Sequence, residues 1–114
     1  MDLRTLVASI LAERVTADVA TVYALALVAR DELKLDVEVT PIAVEKTIRE
    51  LVEGGYAAEY IETTMDLSRR YQKYIITDRI KTVAKPLPPK TRRVAGMRYV
   101  TPAFYALLNY SLAP

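Results

Sequence analysis

The spacing of hydrophobic and polar residues along the chain predicts helices separated by short polar segments. In residues 2–14, apolar side chains recur at i, i+3, i+4, i+7 and i+8, which is the spacing of one buried helical face. Thr16 or Asp18 can cap a second helix, which is predicted to run to about Leu33. From Val19 to Ala29 this helix is apolar nearly all round, so it should be buried on several sides. Two interpretations stay open, a central core helix and a subunit interface.

A third helix is predicted to begin at Pro41 and to end at two glycines. Thr40 offers a hydroxyl N-cap, and proline suits the first helical position. Gly54-Gly55 is expected to end the helix, because glycine takes the left-handed conformation without steric cost. The apolar face of this helix is formed by Val44, Ile48, Leu51 and Val52.

Two β-prone runs follow the glycines, from Tyr56 to Thr64 and from Tyr71 to Thr77. The polar segment between them, residues 65–70, is expected to turn the chain back as an antiparallel hairpin. Residues near Tyr60 should then pair with residues near Tyr74.

A further short β-like piece is expected before the third helix, where Val37 and Val39 alternate with Glu38. Alternation of apolar and polar residues is the period of a half-buried strand. The sequence therefore predicts a brief extended segment between the second and third helices.

A basic stretch with several prolines, residues 79–98, precedes a last helix. Pro86, Pro88 and Pro89 are predicted to prevent helix formation and to favour an extended, semi-rigid arm. Thr101-Pro102 then predicts a helix through about Leu112. That helix should pack on its own domain or on a partner chain, and we expect the protein to form a homodimer through it. The residues of its apolar stripe are Phe104, Leu107, Leu108 and Leu112.

Residues 40–78 contain, in order, a helix, a Gly-Gly stop, an aromatic strand, a basic tip and a returning strand. This order resembles the recognition helix and wing of winged helix-turn-helix proteins. The resemblance implies an α+β fold that is mostly helical with a β-hairpin wing. It implies a winged helix-turn-helix-like domain over residues 1–80. Residues 81–114 would then be a basic arm and C-terminal helix, in the same domain or as a dimerisation element. In that family the helix usually enters the major groove and the wing touches the backbone. The implied function is that of a homodimeric transcription regulator on double-stranded DNA.

The net charge of +2 conceals an asymmetry between the two halves of the chain. Residues 1–60 contain six basic and eleven acidic residues, a net charge of −5. Residues 61–114 contain ten basic and three acidic residues, a net charge of +7. Clustered lysine and arginine is the electrostatic footprint of a polyanion partner, which we expect to be nucleic acid. In the alternative, the acidic and basic parts attract each other within a chain or across a dimer.

The exposed face of the third helix carries the candidate base or phosphate contacts Lys46 and Arg49. Three glutamates, Glu45, Glu50 and Glu53, share that face and make it net −1. In the alternative, it is a solvated face with Glu45–Arg49 and Lys46–Glu50 pairs at i, i+4. The acidic balance favours a second functional hypothesis, a structural or protein-docking module of a nucleoprotein assembly.

The other candidate nucleic-acid contacts lie in the basic half. At the wing tip and beside it, Arg69, Arg70 and Lys73 suit phosphate contacts. The basic stretch contains seven basic residues and no acidic one. Four of its residues complete the predicted interface, and these are Lys90, Arg92, Arg93 and Arg98. In the alternative, this stretch is a solvated linker.

The inventory of side chains argues against an enzyme. The chain has no cysteine and no histidine, so disulfides, Cys/His zinc sites and histidine-dependent catalysis are excluded. Its three glycines lack the spacing of a phosphate-binding loop, and no cofactor, metal or small-molecule effector is indicated.

The expected setting is cytoplasmic. The charged N-terminal residues do not form a signal peptide, and the uncharged run Val19–Ala29 has eleven residues where a membrane span needs roughly 20. A chain without cysteine and with one asparagine suits a thermophile.

Overall fold

A computed structural model of the chain describes the backbone of residues 1–112 and the side chains of residues 1–108. In that part of the chain, five α-helices and a three-stranded antiparallel sheet form an α+β fold. The elements in chain order are α1 (Leu3–Arg14), β1 (Thr16–Ala17), α2 (Val19–Leu33), α3 (Pro41–Glu53), β2 (Ala57–Thr63), β3 (Arg70–Ile76), a 3₁₀ helix (Asp78–Thr82), α4 (Pro89–Ala95) and α5 (Pro102–Leu112). None of the described helices is long and apolar enough to cross a membrane.

Four of the described α-helices begin at a side-chain cap, and the sequence predicts such a start for α2, α3 and α5. In each case a side-chain oxygen accepts a hydrogen bond from a first-turn backbone N–H that has no partner inside the helix. The capping residues are Asp2 for α1, Asp18 for α2, Thr40 for α3 and Thr101 for α5. Thr16, the other candidate cap for α2, lies in β1 instead. Past α3, Gly55 alone of the two glycines takes a left-handed backbone, with φ 81°.

The β2–β3 hairpin forms within one residue of the predicted register. Glu59 lies opposite Tyr74, and Tyr60 lies opposite Lys73. The sheet order is β1-β3-β2, so β1 pairs with the other edge of β3, where Thr16 lies opposite Ile75. We refer to β2, β3 and the loop between them as the wing.

The predicted β-like piece at Val37 and Val39 is wrong. The segment between α2 and α3 forms no strand, although Val39 is buried in the core. An extended segment becomes a strand only when a free sheet edge is within reach. The free edges of the sheet lie on β1 and β2, and residues 35–40 pair with neither of them.

The core lies between α1, α2 and α3, and α2 is its central helix. Seven consecutive or nearly consecutive residues of α2, Val22 and Ala24 to Ala29, are buried. Four helices pack around α2, namely α1, α3, α4 and α5. Of the two interpretations of its apolar surface, the structure shows the core helix.

The prediction that the prolines keep residues 79–98 extended is wrong. The 3₁₀ helix opens the stretch, and α4 begins at Pro89 itself. Proline fits the first helical position because the missing N–H has no partner there and its fixed φ is already helical. Helix α4 packs on α1 and α2, and Val94 and Ala95 are buried in the common core.

Candidate nucleic-acid interface

The exposed face of α3 carries an internal ion pair. Arg49 Nη2 lies 3.0 Å from Glu45 Oε1, one turn earlier on the helix. Within the described part of the chain, the second predicted pair, Lys46 with Glu50, does not form. Lys46 and Arg49 are both solvent-exposed, as a contact surface requires, but Glu45, Glu50 and Glu53 are exposed beside them. Any phosphate approaching this face therefore meets a net negative charge.

One face of the wing continues the α3 surface. The Tyr74 hydroxyl group is buried there, and this burial raises its pKa, as do the nearby charges of Glu59 and Glu45. Glu59 accepts a hydrogen bond from Gln72 Nε2 at 2.5 Å across the two strands. Glu59 is thus hydrogen-bonded to a neutral amide and keeps its negative charge on this face of the wing.

Lys73, a predicted phosphate contact, is already engaged within the wing. It is half-buried and forms an ion pair with Glu62 on the neighbouring strand. That hydrogen bond raises the pKa of Lys73. A lysine paired in this way offers less charge to a phosphate than an exposed arginine does, so Lys73 is a weaker candidate than Arg69 and Arg70.

The wing tip, residues 64–69, is a loop closed by its own side chains. Asp66 Oδ1 accepts hydrogen bonds from the Thr64 hydroxyl at 2.6 Å, the Ser68 hydroxyl at 2.7 Å and the Ser68 backbone N–H at 3.1 Å. These hydrogen bonds lower the pKa of Asp66 to about 2. Arg69 ends the loop, Arg70 begins β3, and both are exposed. A hydrogen bond with the Tyr71 side chain raises the pKa of Arg69 above its usual value.

Helix α4 is held at its N-terminus by Glu32 from the last turn of α2. Glu32 Oε2 accepts from the Lys90 backbone N–H at 2.9 Å. Glu32 Oε1 accepts from both the backbone N–H and the hydroxyl of Thr91, each at 2.7 Å. A carboxylate satisfies the N–H groups that a helix leaves without partners and interacts favourably with its positive dipole end.

The opposite end of α4 is held by Arg14 from the last turn of α1. Arg14 Nη1 donates to the carbonyl oxygens of Ala95 at 3.0 Å and Met97 at 2.7 Å. A cation at the carbonyl end of a helix complements the negative dipole end. Arg14 Nε is buried and has no hydrogen-bond partner. Two oppositely charged residues therefore fix both ends of a helix of seven residues.

The docked helix leaves predicted basic residues exposed on its outer side. Arg92 and Arg93 are exposed, whereas Thr91, Val94 and Ala95 on the other side of α4 are buried. The Lys90 side chain is half-buried. Arg98, beyond the helix, is exposed and lies 5.5 Å from the centre of the Tyr99 ring. The contacts of Glu32 and Arg14 thus fix the backbone near four of the nine predicted nucleic-acid contacts.

The nine predicted residues do not form one continuous site. Lys90, Arg92, Arg93 and Arg98 belong to α4 and the turn after it, which pack on α1 and α2. Lys46 and Arg49 lie on α3, which adjoins the wing. Arg69 and Arg70 lie at the wing tip, and Lys73 is paired within the wing. The structure therefore has two separate places with exposed arginines, the wing tip and the α4 surface.

Sequence reasoning missed Glu32 and Arg14, although they position the basic helix. Glu32 lies 58 residues before Lys90, and Arg14 lies 81 residues before Ala95. No local pattern links residues so far apart. The only signal was their place in the last turns of two predicted helices, where a charged side chain can reach a neighbouring helix end.

The predicted dimerisation stripe divides between the core and the surface. Phe104 and Leu108 are half-buried and pack against the core of their own chain. Leu107 is 67% exposed. The Leu112 side chain lies outside the described residues. Tyr105 ties α5 to α2, since its hydroxyl donates to Asp31.

No group of acidic side chains in the described residues is arranged to hold a metal ion. Comparison of the chain with models of protein families, with curated proteins and with solved structures found no match. Function is therefore inferred from the residues and their arrangement.

Proposed function

We propose that this protein binds duplex nucleic acid, and that phosphate contacts from the α4 surface and the wing tip supply most of the affinity. The observation that carries the proposal is the docking of α4 by Glu32 and Arg14. This docking fixes the backbone that bears Arg92 and Arg93 and leaves their side chains exposed. Arginine on a fixed backbone loses less conformational entropy on binding phosphate than arginine on a flexible arm.

The element order supports a winged-helix arrangement. A short strand follows α1, two helices come next, and a hairpin follows α3, with the first strand pairing beside it. In winged-helix proteins this hairpin is the wing, and its tip is placed for backbone contacts. The exposed pair Arg69 and Arg70 at the tip agrees with that role.

The charge and the internal ion pair of α3 argue against reading of bases by this helix. Specific readout in the major groove needs side chains that reach base edges. On α3 the arginine with that capacity, Arg49, is paired with Glu45, and the whole face is net −1. We therefore propose weak sequence preference. A role as a homodimeric transcription regulator on DNA would require Lys46 and Arg49 to leave this arrangement and contact bases.

The test is a binding titration by fluorescence anisotropy with two labelled duplexes of unrelated sequence. If four arginines each neutralise one phosphate, log K should fall with log salt at a slope of about −3.6. Similar affinities for both duplexes are expected. Absence of binding at about 50 mM salt and about 100 μM protein would contradict the proposal, because nonspecific binding is normally detectable in that range.

A second candidate function is protein docking through α3. Ile42 is 80% exposed on this helix, next to a net acidic face. An exposed isoleucine beside charged side chains suits a protein partner better than a phosphate backbone. In this case Ile42→Ala would abolish partner binding, and duplex binding would be absent.

We also propose that the protein forms a homodimer through α5. Residues 99–114 contain no charged residue, and Leu107 remains exposed although Phe104 and Leu108 pack inward. A two-fold dimer is the commonest way to cover such a surface, and it would bring two α4 surfaces to one duplex.

A further inference from the structure

Two large apolar side chains are displayed at the wing tip. Met65 is fully exposed and Leu67 is 76% exposed. Neither side chain belongs to the core. The polar side chains of the loop are used differently: Thr64, Asp66 and Ser68 hydrogen-bond to one another and to the loop backbone. The tip is thus polar on the inside and apolar towards solvent.

Hydrogen bonds of the backbone fix the loop that carries these two residues. Thr64 N donates to Arg69 O at 3.1 Å, and Leu67 N donates to Thr64 O at 2.8 Å. Arg69 N donates to the Thr64 hydroxyl at 3.2 Å. Leu67 has φ 62°, in the left-handed region that disfavours leucine. Glycine or asparagine would relieve this conformation, so the turn holds an exposed leucine at some cost in backbone energy.

From this geometry we propose that the wing tip is an apolar wedge for the minor groove of duplex nucleic acid. Met65 and Leu67 would enter between base steps, and Arg69 and Arg70 would bind the flanking phosphates. This inference rests on the proposed nucleic-acid function. Methionine and leucine are among the side chains that open base steps, and the kink they produce lets more protein surface reach the duplex.

The charges beside the tip distinguish this partner from a lipid surface. Recognition of anionic lipid normally uses a cluster of about four to eight basic residues. The wing tip has two arginines, Arg69 and Arg70, and one carboxylate, Asp66. Two cations suffice to hold the phosphates on either side of one opened step. A duplex is therefore the better match.

The direct test places a fluorescent reporter at the tip. The chain has no tryptophan, so Met65→Trp gives a single indole at the proposed point of insertion. Its emission should fall by about half or more on saturation with a short duplex, because indole stacks on bases. The matched control is Glu38→Trp, an exposed position between α2 and α3 for which no contact is proposed, and its emission should not change on adding the duplex.

A second measurement follows the shape of the nucleic acid. Energy transfer between dyes on the two ends of the duplex should report a bend of roughly 20–90° with the wild-type protein. Met65→Ala with Leu67→Ala should remove the bend and keep the wild-type salt slope, since both arginines remain. Leu67→Gly relieves the left-handed strain, so it should fold at least as well and still reduce the bend.

The outcomes separate the wedge from the proposed function. A wild-type protein that binds duplex without bending it, together with an unchanged Met65→Trp signal, overturns the wedge and leaves nucleic-acid binding intact. Absence of duplex binding overturns both. Quenching or blue-shifted emission of Met65→Trp on phosphatidylserine vesicles, with no response to duplex, overturns the wedge in favour of a membrane contact.

Discussion

Glu32 Oε1 lies 2.7 Å from both the backbone nitrogen and the hydroxyl oxygen of Thr91, and it thereby joins the end of α2 to the start of α4. Hydrogen bonds to a charged group contribute about 1.5–3 kcal/mol each before solvent exposure reduces them. Because Glu32 is half-buried, we expect Glu32→Gln to lower the free energy of unfolding by about 1–2 kcal/mol at neutral pH. Urea denaturation measures this change. Glu38→Gln, an exposed carboxylate between α2 and α3, is the matched control and should be nearly neutral.

The same contact makes stability depend on pH. Desolvation acts to raise the pKa of Glu32, but hydrogen bonds from Thr91 and Lys90 and the charge of Lys90 outweigh it, so the pKa lies below 4.5. The stabilisation is present above about pH 4.5 and is lost as the pH falls through the lowered pKa of the folded state. Wild-type stability should therefore fall more steeply below pH 4.5 than that of Glu32→Gln. Parallel curves would contradict the role of this carboxylate.

Gly55 and Gly96 make a matched pair for a test of the turn after α3. Gly55 has φ 81°, and a Cβ there would lie 3.1 Å from Arg79 Nη1. Gly55→Ala should cost about 1–2 kcal/mol, because a left-handed backbone disfavours any Cβ. Gly96 ends α4 with φ −79°, and its nearest atom would be 3.5 Å from a Cβ. Gly96→Ala should therefore be neutral or stabilise by about 0.4–1 kcal/mol. Equal effects in thermal unfolding would be evidence against the Gly55 turn.

The helices and the hairpin could be predicted from sequence because their signals are local. Asp18, Thr40 and Thr101 cap helices from adjacent positions, and the Gly55 turn lies next to the helix it ends. The hairpin register could be predicted to within one residue because a short loop separates the two strands. Strand β1 could not be predicted, because a strand of two residues has no periodicity.

The docking of the basic stretch could not be predicted, for two physical reasons. Three nearby prolines argue against a helix, but Pro89 occupies the first helical position, which accepts proline. The contacts that hold α4 come from Glu32 and Arg14, which are distant in sequence and meet it only after α1 and α2 have packed. The pairing of Lys73 with Glu62 depends on the hairpin register, so the sequence alone does not show that this predicted phosphate contact is already paired.

The wing tip should keep its hydrogen bonds far into the acidic range. Hydroxyl donors from Thr64 and Ser68 and the Ser68 backbone N–H hold the pKa of Asp66 at about 2, against an ordinary value of 3.8. A lowered pKa means that the loop contacts are complete above about pH 3.8 and are lost as the pH falls through about 2. Carbon-13 NMR of the Asp66 carboxyl carbon measures this. Thr64→Val with Ser68→Ala should move the pKa back towards 3.8, and a wild-type value already there would refute the closed loop.

Leu107 tests self-association without disturbing the packing of α5. Phe104 and Leu108 hold the helix to the core, whereas Leu107 points into solvent at 67% exposure. Leu107→Asp should therefore leave the fold intact and convert a dimer into a monomer, because an aspartate buried in an apolar interface lacks a partner. Light scattering across a dilution series gives the mass, and circular dichroism checks the fold. A wild-type protein that stays monomeric at high concentration would exclude the dimer.

The salt dependence of duplex binding tests most directly whether the α4 surface binds phosphates. Arg92 and Arg93 are exposed, so Arg92→Ala with Arg93→Ala should leave stability within about 0.5 kcal/mol of wild type. The control is Lys46→Ala with Arg49→Ala, which removes the same charge from α3. We predict that the α4 double variant weakens binding to all duplexes and reduces the salt slope by about 1.8, the loss of two phosphate contacts, while the α3 variant keeps the wild-type slope. A wild-type slope in the α4 variant, with the loss appearing in the α3 variant instead, would contradict the account.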